Sequence, residues 1–517
     1  MGKAGLAWSS AAVVVALCGA ADAATYFVDP TATGGGDGSE SQPWDSLQAA
    51  LDADEVADGD TVWLESGDHG TLSITGWSNT LGITIAAVEG ETPELSSVLV
   101  RNSRGWTLRG LHVIGEGTSF LIDLDGDNED IRVESCALRS TDDTAAWTAQ
   151  DWIDRASNGI SVDGTAMTIR NNYLKNVGYG ISVGADHSLV EGNVIENFSR
   201  DGLRGLGDYS VFQYNTVKNC YAVDDHHDDG FQSWSVGADG EVGTGEVVGI
   251  VLRGNTIINY EDPNQPHRGT LQGIGCFDGT FVDWVVENNV ILTDHWHGIS
   301  LYGARNCAVT NNTVLDLNDE DPGPPWIRVT EHKDGTAPQD CVVRNNLTTA
   351  LANSDQVVEE ANITFSMDEV SDYFVDAAAF DVHLRPDAAA IDAGTASGAP
   401  ELDRDRIPRP QGDGVDVGAY EWHDASVVPV AGGAGGLAGV GVGGLPGAGL
   451  ATGAGGRGSL AGTGNADATG GSDGDEGGCG CAVPRRRPAP FVAVTLLVFL
   501  ALARRRARSR SGRGAFA

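Results

Sequence analysis

Ile169-Arg170-Asn171-Asn172, Val190-Glu191-Gly192-Asn193 and Phe212-Gln213-Tyr214-Asn215 are three copies of one phrase. Leu252-Arg253-Gly254-Asn255, Val286-Glu287-Asn288-Asn289, Val309-Thr310-Asn311-Asn312 and Val343-Arg344-Asn345-Asn346 continue it. Two residues after each final Asn stands an apolar side chain, Leu174, Ile195, Val217, Ile257, Ile291 or Val314, and only Thr348 departs. The tightest Asn-to-Asn spacings are 21, 22 and 23 residues. A fixed period of that length, filled by short alternating segments, predicts strands wound as a stack of coils. Asn suits the turn, because it tolerates left-handed backbone and bonds nearby peptide groups. Equivalent Asn residues on successive coils are expected to stack as a hydrogen-bonded ladder.

A second column accompanies the first. Gly159-Ile160, Gly180-Ile181, Gly202-Leu203, Gly230-Phe231, Gly273-Ile274 and Gly298-Ile299 each open a short alternating segment, with Trp326-Ile327 in the same place. Alternation sends the residue after the Gly inward and the next outward.

The phrase G-I-x-V, a spacer, then V-x-x-N-x-[VI] resembles the right-handed parallel β-helix repeat of pectate-lyase-like proteins. Tyr26 to Pro30, Pro43 to Leu51 and Gly59 to Leu64 resemble that family's opening strand, capping helix and first coil. Asp381 to Leu384, Ile391 to Gly394, Asp403 to Pro410 and Val415 to Glu421 resemble the closing segment of bacterial surface β-helix proteins. The resemblance implies an all-β, single-stranded right-handed parallel β-helix with an N-terminal capping helix. Fold alone leaves activity open.

The ends suggest export. Lys3, the apolar run Ala11 to Leu17 and Ala21-Asp22-Ala23 read as a signal peptide over 1–23. A β-helix domain is expected over 24–422, with regular coils over 97–350 and a closing segment over 351–422. A Gly/Ala-rich disordered linker follows over 423–478. Residues 479–517 hold a Cys motif, an apolar run read as a short transmembrane helix, and an Arg-rich tail. That order resembles the C-terminal sorting tail of myxobacterial surface proteins, which implies a sorting protease as partner and display on the cell surface. A plain membrane-anchored tail is the alternative. The net charge of −41 argues against nucleic acid as a partner. The partner expected is an extracellular polysaccharide, and the protein is expected to be a monomer.

Extra residues cluster on both sides of the Gly column, at about 139–158, 221–229, 260–271 and 317–325 before it and about 235–246 and 331–340 after it. Long loops on a rigid scaffold make walls, and the outward face between them makes a floor. Ser161, Ser182, Arg204, Gln232, Gly275, Ser300 and Arg328 should share that face. Trp234, Phe277 and Tyr302 should offer flat faces for sugar rings, with Gln232 as a further substrate contact. The densest constellation is Asp224-Asp225-His226-His227-Asp228-Asp229. Its crowded carboxylates suit calcium, with Asp224, Asp225 and Asp228 as the expected ligands. Asp201, Arg204, His227, Asp229, His297 and Arg328 are the candidate catalytic groups. A uronate lyase or epimerase needs a base at the carbon beside the carboxylate and a cation on the resulting anion. A glycoside hydrolase needs two carboxylates, which Asp201, Asp228 and Asp229 supply. A non-catalytic glycan-binding or adhesion protein is the remaining reading. Cys307 and Cys341 should be neighbours on adjacent coils, as a disulfide or as two buried thiols.

Overall fold

The computed structural model describes residues 23–424 and 426–430. The signal segment through residue 22, the Gly/Ala-rich stretch from 431 and the Cys motif, apolar run and Arg-rich tail lie outside the described residues. Among those described, no helix is long and apolar enough to cross a membrane.

Three parallel sheets of 13, 12 and 11 strands run along the solenoid, and the chain visits them in turn on every coil. The 13-stranded sheet holds the strands just before each phrase-ending Asn, such as Thr168–Arg170, Leu189–Glu191 and Val211–Gln213. The 12-stranded sheet holds the strands just after it, such as Tyr173–Val177 and Val194–Phe198. The Gly-led strands make the 11-stranded sheet. Ile160, Ile181, Leu203, Phe231, Ile274, Ile299 and Ile327 are paired in register down it and all lie in the central apolar core.

Asn172, Asn193, Asn215, Asn255, Asn289, Asn312 and Asn346 form the expected ladder at the corner between the first two sheets. Each side-chain amide donates to the next Asn Oδ1, as from Asn193 to Asn215 at 2.9 Å and from Asn289 to Asn312 at 2.9 Å. The left-handed backbone falls one residue earlier than a turn-Asn reading suggests. Asn171, Gly192, Tyr214, Gly254, Asn288, Asn311 and Asn345 carry positive φ, and the ladder Asn that follows each is buried. The corner therefore divides its labour: one residue bends the chain and the next bonds the coils.

The Gly column is set by close approach. A Cβ at Gly180 would sit 2.2 Å from the carbonyl oxygen of Gly202, and one at Gly273 would sit 2.3 Å from that of Gly298 and 2.4 Å from Ile291. Only a hydrogen fits where these strands enter beside the side chains that follow the ladder.

At the N-terminal end, Leu47–Asp52 is a short helix whose Ser46 hydroxyl accepts from the Ala49 amide, and Leu47 and Leu51 pack into the core. The insertion before Gly159 contains a helix that the sequence reading did not foresee, Ala149–Arg155, with a reciprocal Thr148/Asp151 capping box. The insertion after Trp234 adds a small parallel pair, Glu246–Val248 with Thr280–Val282. The segment after residue 351 does more than finish the last coil. Its Phe365, Phe374, Val382, Leu384, Val417 and Ala419 form a second apolar cluster with Val290, Leu292, Leu315 and Leu347, covering the outer face of the 12-stranded sheet. Residues 395–418 return along the solenoid, where Asn288, Asn311 and Asn345 donate to the carbonyls of Leu402, Asp416 and Thr395. Cys307 and Cys341 are buried free thiols.

Candidate functional site

The outward residues of the 11-stranded sheet are paired as the alternation requires. Ser161, Ser182, Arg204, Gln232, Gly275, Ser300 and Arg328 follow one another rung by rung. The register along this sheet slips twice, between His297 and Ile299 and after Ser233. After Ser233 the register shifts and Trp234 pairs with Asp278, so Phe277 is an extra residue in a bulge and not the neighbour of Trp234. Phe277 is 7% exposed, and its ring packs on His297 at 4.7 Å and on Tyr302 at 5.2 Å. As an exposed sugar platform it is corrected: it packs the floor.

The Asp-His run builds two consecutive imidazole–carboxylate pairs, because each His is followed two residues later by an Asp on the same side. His226 Nδ1 lies 2.9 Å from Asp228 Oδ1, and His227 Nδ1 lies 3.3 Å from Asp229 Oδ2. The two rings stack, 5.4 Å apart and 24° from parallel. Gln232 donates to Asp229 Oδ2 at 2.9 Å. Asp229 is fully buried and its Oδ1 has no hydrogen-bond partner. That oxygen lies against Gly275, where a Cβ would come within 2.0 Å of it. Burial pushes the Asp229 carboxyl up to about 8, with the Asp201 carboxylate adding to the shift and the His227 hydrogen bond opposing it. Burial likewise pushes Asp228 up to about 6 against its bond to His226.

Asp201 lies one coil below. Its Oδ1 accepts the Asp229 backbone amide at 3.0 Å, and its Oδ2 accepts Arg204 Nε at 2.6 Å. The Arg204 guanidinium sits 3.7 Å from the Tyr179 ring centroid and 5.1 Å from that of Trp234. Tyr179 OH is 3.4 Å from His226 Nε2. One chain of contacts therefore runs from Asp228 through His226 to the Tyr179 phenol. His297, on the next rungs, bonds Ser300 Oγ through Nδ1 at 2.8 Å. Burial, then the nearby His295 and Arg328 charges, pushes His297 down to about 3, so it is a neutral imidazole.

The structure thus gathers Asp201, Arg204, His227, Asp229 and Gln232 into one group, with Trp234 at its edge. Phe277, Tyr302, His297 and Arg328 form a second group on the following rungs. Asp224, Asp225 and Asp228 are not gathered. Asp224 is ion-paired to Arg200 at 2.6 Å, whereas Asp228 turns inward, where Cys220 Sγ reaches it at 3.4 Å. Among the described residues no group of three or more His, Cys, Asp or Glu is placed to hold a metal ion. This donor set does not fit the expected calcium. Sequence reasoning passed over Tyr179 and His226 as participants. The signal was present only as the spacing His-His-Asp-Asp, with an Asp two residues after each His.

The family profile described as the right handed beta helix region matches residues 158–319. No curated protein matches the chain by sequence. Among solved structures, pectate lyase Pel9A is similar at 14% identity over 78% of this chain and 98% of its own, with a TM-score of 0.39. The A-module of the mannuronan C-5 epimerase AlgE6 from Azotobacter vinelandii is similar at 14% identity over 62% of this chain and 94% of its own, with a TM-score of 0.36. A PL6 alginate lyase in complex with a trisaccharide is similar at 15% identity over 68% and 87%, with a TM-score of 0.35.

Proposed function

We propose that the protein acts on an extracellular acidic polysaccharide, as a lyase or C5-epimerase of uronate units. The observation that carries this reading is the pair of histidine–aspartate couples beside Tyr179 and Arg204. Removing the proton next to a uronate carboxylate requires a base held in one tautomer and a positive charge to stabilise the anion. Asp229 orients His227, whose side chain is 32% exposed to the groove. Asp228 orients His226, which meets Tyr179 OH. His227 takes the proton. Tyr179, in contact with His226, returns one to the carbon in epimerisation or gives one to the leaving oxygen in elimination. Arg204 faces the developing negative charge.

The hydrolase alternative, on Asp201, Asp228 and Asp229, is disfavoured because all three carboxylates are buried. Both Asp201 oxygens are already bonded, and Asp228 is enclosed behind the floor. Glycan binding without turnover is favoured by one observation, the complete burial of Asp229. The signal segment, linker and tail are part of the proposal: the chain is exported and its solenoid displayed outside the cell, by a sorted tail or a membrane anchor.

The test is incubation of the purified protein with pectate, alginate and chondroitin. Ultraviolet absorbance from an unsaturated product marks elimination, and solvent deuterium entering polymeric product without that absorbance marks epimerisation. New reducing ends without either signal overturn the proposal in favour of hydrolysis. Binding without any product leaves the glycan-binding reading.

A further inference from the structure

Arg328 lies on the outward face of the strand Trp326–Thr330, in register with Ser300. Its guanidinium is held between two aromatic rings, 5.6 Å from the centroid of Tyr302 and 5.2 Å from that of Trp326. Among the described residues no carboxylate pairs with it and no hydrogen bond ties it down, and its Nε is buried without a partner. In a chain of net charge −41 that is a conspicuous vacancy, since Arg101, Arg155, Arg200, Arg204 and Arg253 all have carboxylate partners. His297, whose pKa is lowered in part by the Arg328 charge, is neutral and brings no charge of its own beside the guanidinium.

Beside this guanidinium is a ledge of indole. Trp296 is 44% exposed and lies 6.4 Å from Trp326, with the rings 14° from parallel. The ledge is fixed rather than loose: the Trp296 carbonyl accepts from the Trp326 and Gly298 amides, and Trp326 Nε1 donates to Ser300 Oγ at 3.3 Å. An exposed aromatic face suits the apolar face of a sugar ring. A guanidinium without a protein acceptor suits a carboxylate, which its planar fork engages through two parallel bonds.

We propose that Trp296, Trp326 and Arg328 form a subsite for one carboxylate-bearing sugar unit, the indoles taking the ring face and the guanidinium the carboxylate. This rests on the acidic-polysaccharide reading and deepens it. Arg328 becomes an anchor for a unit neighbouring the reacting one. The subsite also answers how so acidic a protein holds an acidic chain: one uncompensated cation sits where a carboxylate must lie.

The test measures binding to the full chain by calorimetry and tryptophan emission, using oligogalacturonate, oligomannuronate, a neutral galactan oligomer and its sulfated form. Oligouronate is expected to bind tighter than the neutral oligomer and to quench emission. Arg328→Gln is expected to weaken oligouronate at least tenfold and to abolish its advantage over the neutral sugar. Arg328→Lys, which keeps charge but not the fork, should fall between and serves if Arg328→Gln does not fold. Trp296→Ala should weaken both sugars and remove most of the quench. No preference for oligouronate in the wild type, or wild-type affinity in folded Arg328 and Trp296 variants, overturns the proposal. So does tighter binding of the sulfated oligomer that depends equally on Arg328. If oligouronate binds as described and no product forms, the subsite stands and the lyase or epimerase reading falls. If product forms and the variants keep wild-type KM, the reverse holds.

Discussion

Asn215 donates from Nδ2 to Asn255 Oδ1 at 2.9 Å although 40 positions separate them in the chain. Asn172 and Asn193, only 21 apart, make the same bond at the same length. The extra residues between Asn215 and Asn255 are absorbed into loops beside the groove, and the corner of the coil is unchanged. Asn255→Ala should therefore remove bonds to Asn215, Phe212 and Asn289 at once. Stranding these buried groups is expected to cost about 3 kcal/mol, at roughly 1–3 kcal/mol for each unsatisfied group with partial relief from water. Urea unfolding measures it, and a loss below about 1 kcal/mol contradicts a structural ladder.

The Gly column makes a second stability prediction. In Gly273→Ala the new methyl meets the Gly298 carbonyl at 2.3 Å, which is backbone and cannot swing aside. Destabilisation of about 1–3 kcal/mol is expected from overpacking. Gly240→Ala, where no atom lies within reach but φ is positive, is the comparison for strain without a clash.

Asp229 gives stability a pH dependence of definite sign. Its folded carboxyl, raised to about 8, holds a proton that the unfolded carboxyl releases near 4. The folded state binds more protons across that window, so this group's contribution to stability falls as pH rises from about 4 to about 8. His297, lowered to about 3, acts oppositely and adds stability as pH rises from about 3 to about 6.5. Comparing wild type with Asp229→Asn isolates the first effect, because His297 is common to both. The variant should gain on the wild type between pH 4 and 8 in melting experiments. A flat difference across that range would sink the assignment of a proton to Asp229.

If the protein turns over a uronate polymer, His227→Ala and Tyr179→Phe should each lower kcat by about a hundredfold or more, the usual range for losing a positioned acid or base. Asp228→Asn should lower kcat less and shift the pH–rate profile, since it acts on Tyr179 only through His226. Equal kcat in all three variants and wild type removes these residues from the chemistry.

Chelation supplies a fifth check. Because Asp224 is engaged by Arg200 and Asp228 faces Cys220, exhaustive treatment with a calcium chelator should leave the melting temperature unchanged. A drop reversed by added calcium restores the cation reading of this loop.

The coil path was legible because alternation is rigid: once Gly230-Phe231 faces inward, Gln232 must face the groove, and the rung pairing of Gln232 with Gly275 follows. What escaped notice depends on contacts that no local pattern encodes. Phe277 is an additional residue in its strand, and bulges leave no periodic trace. Asp228 and Asp229 are adjacent and chemically identical, yet one side chain meets Cys220 behind the floor and the other meets His227. Asn171 and Asn172 are likewise identical residues in opposite roles. The return of residues 395–418 along the coils was hidden because its partners, Asn288, Asn311 and Asn345, lie 114, 105 and 50 positions away in sequence.

That returning segment changes how the solenoid would respond to force. A bare stack of coils, loaded at its last turn, peels one rung at a time, since each rung is held only by its neighbours. Here the polypeptide beyond Thr395 is stitched to several rungs, and the buried Arg409–Glu421 pair at 2.7 Å locks its far end. Tension entering past Trp422 is met by many attachments loaded together in shear, so rupture should demand a higher force and arrive as one event instead of a staircase.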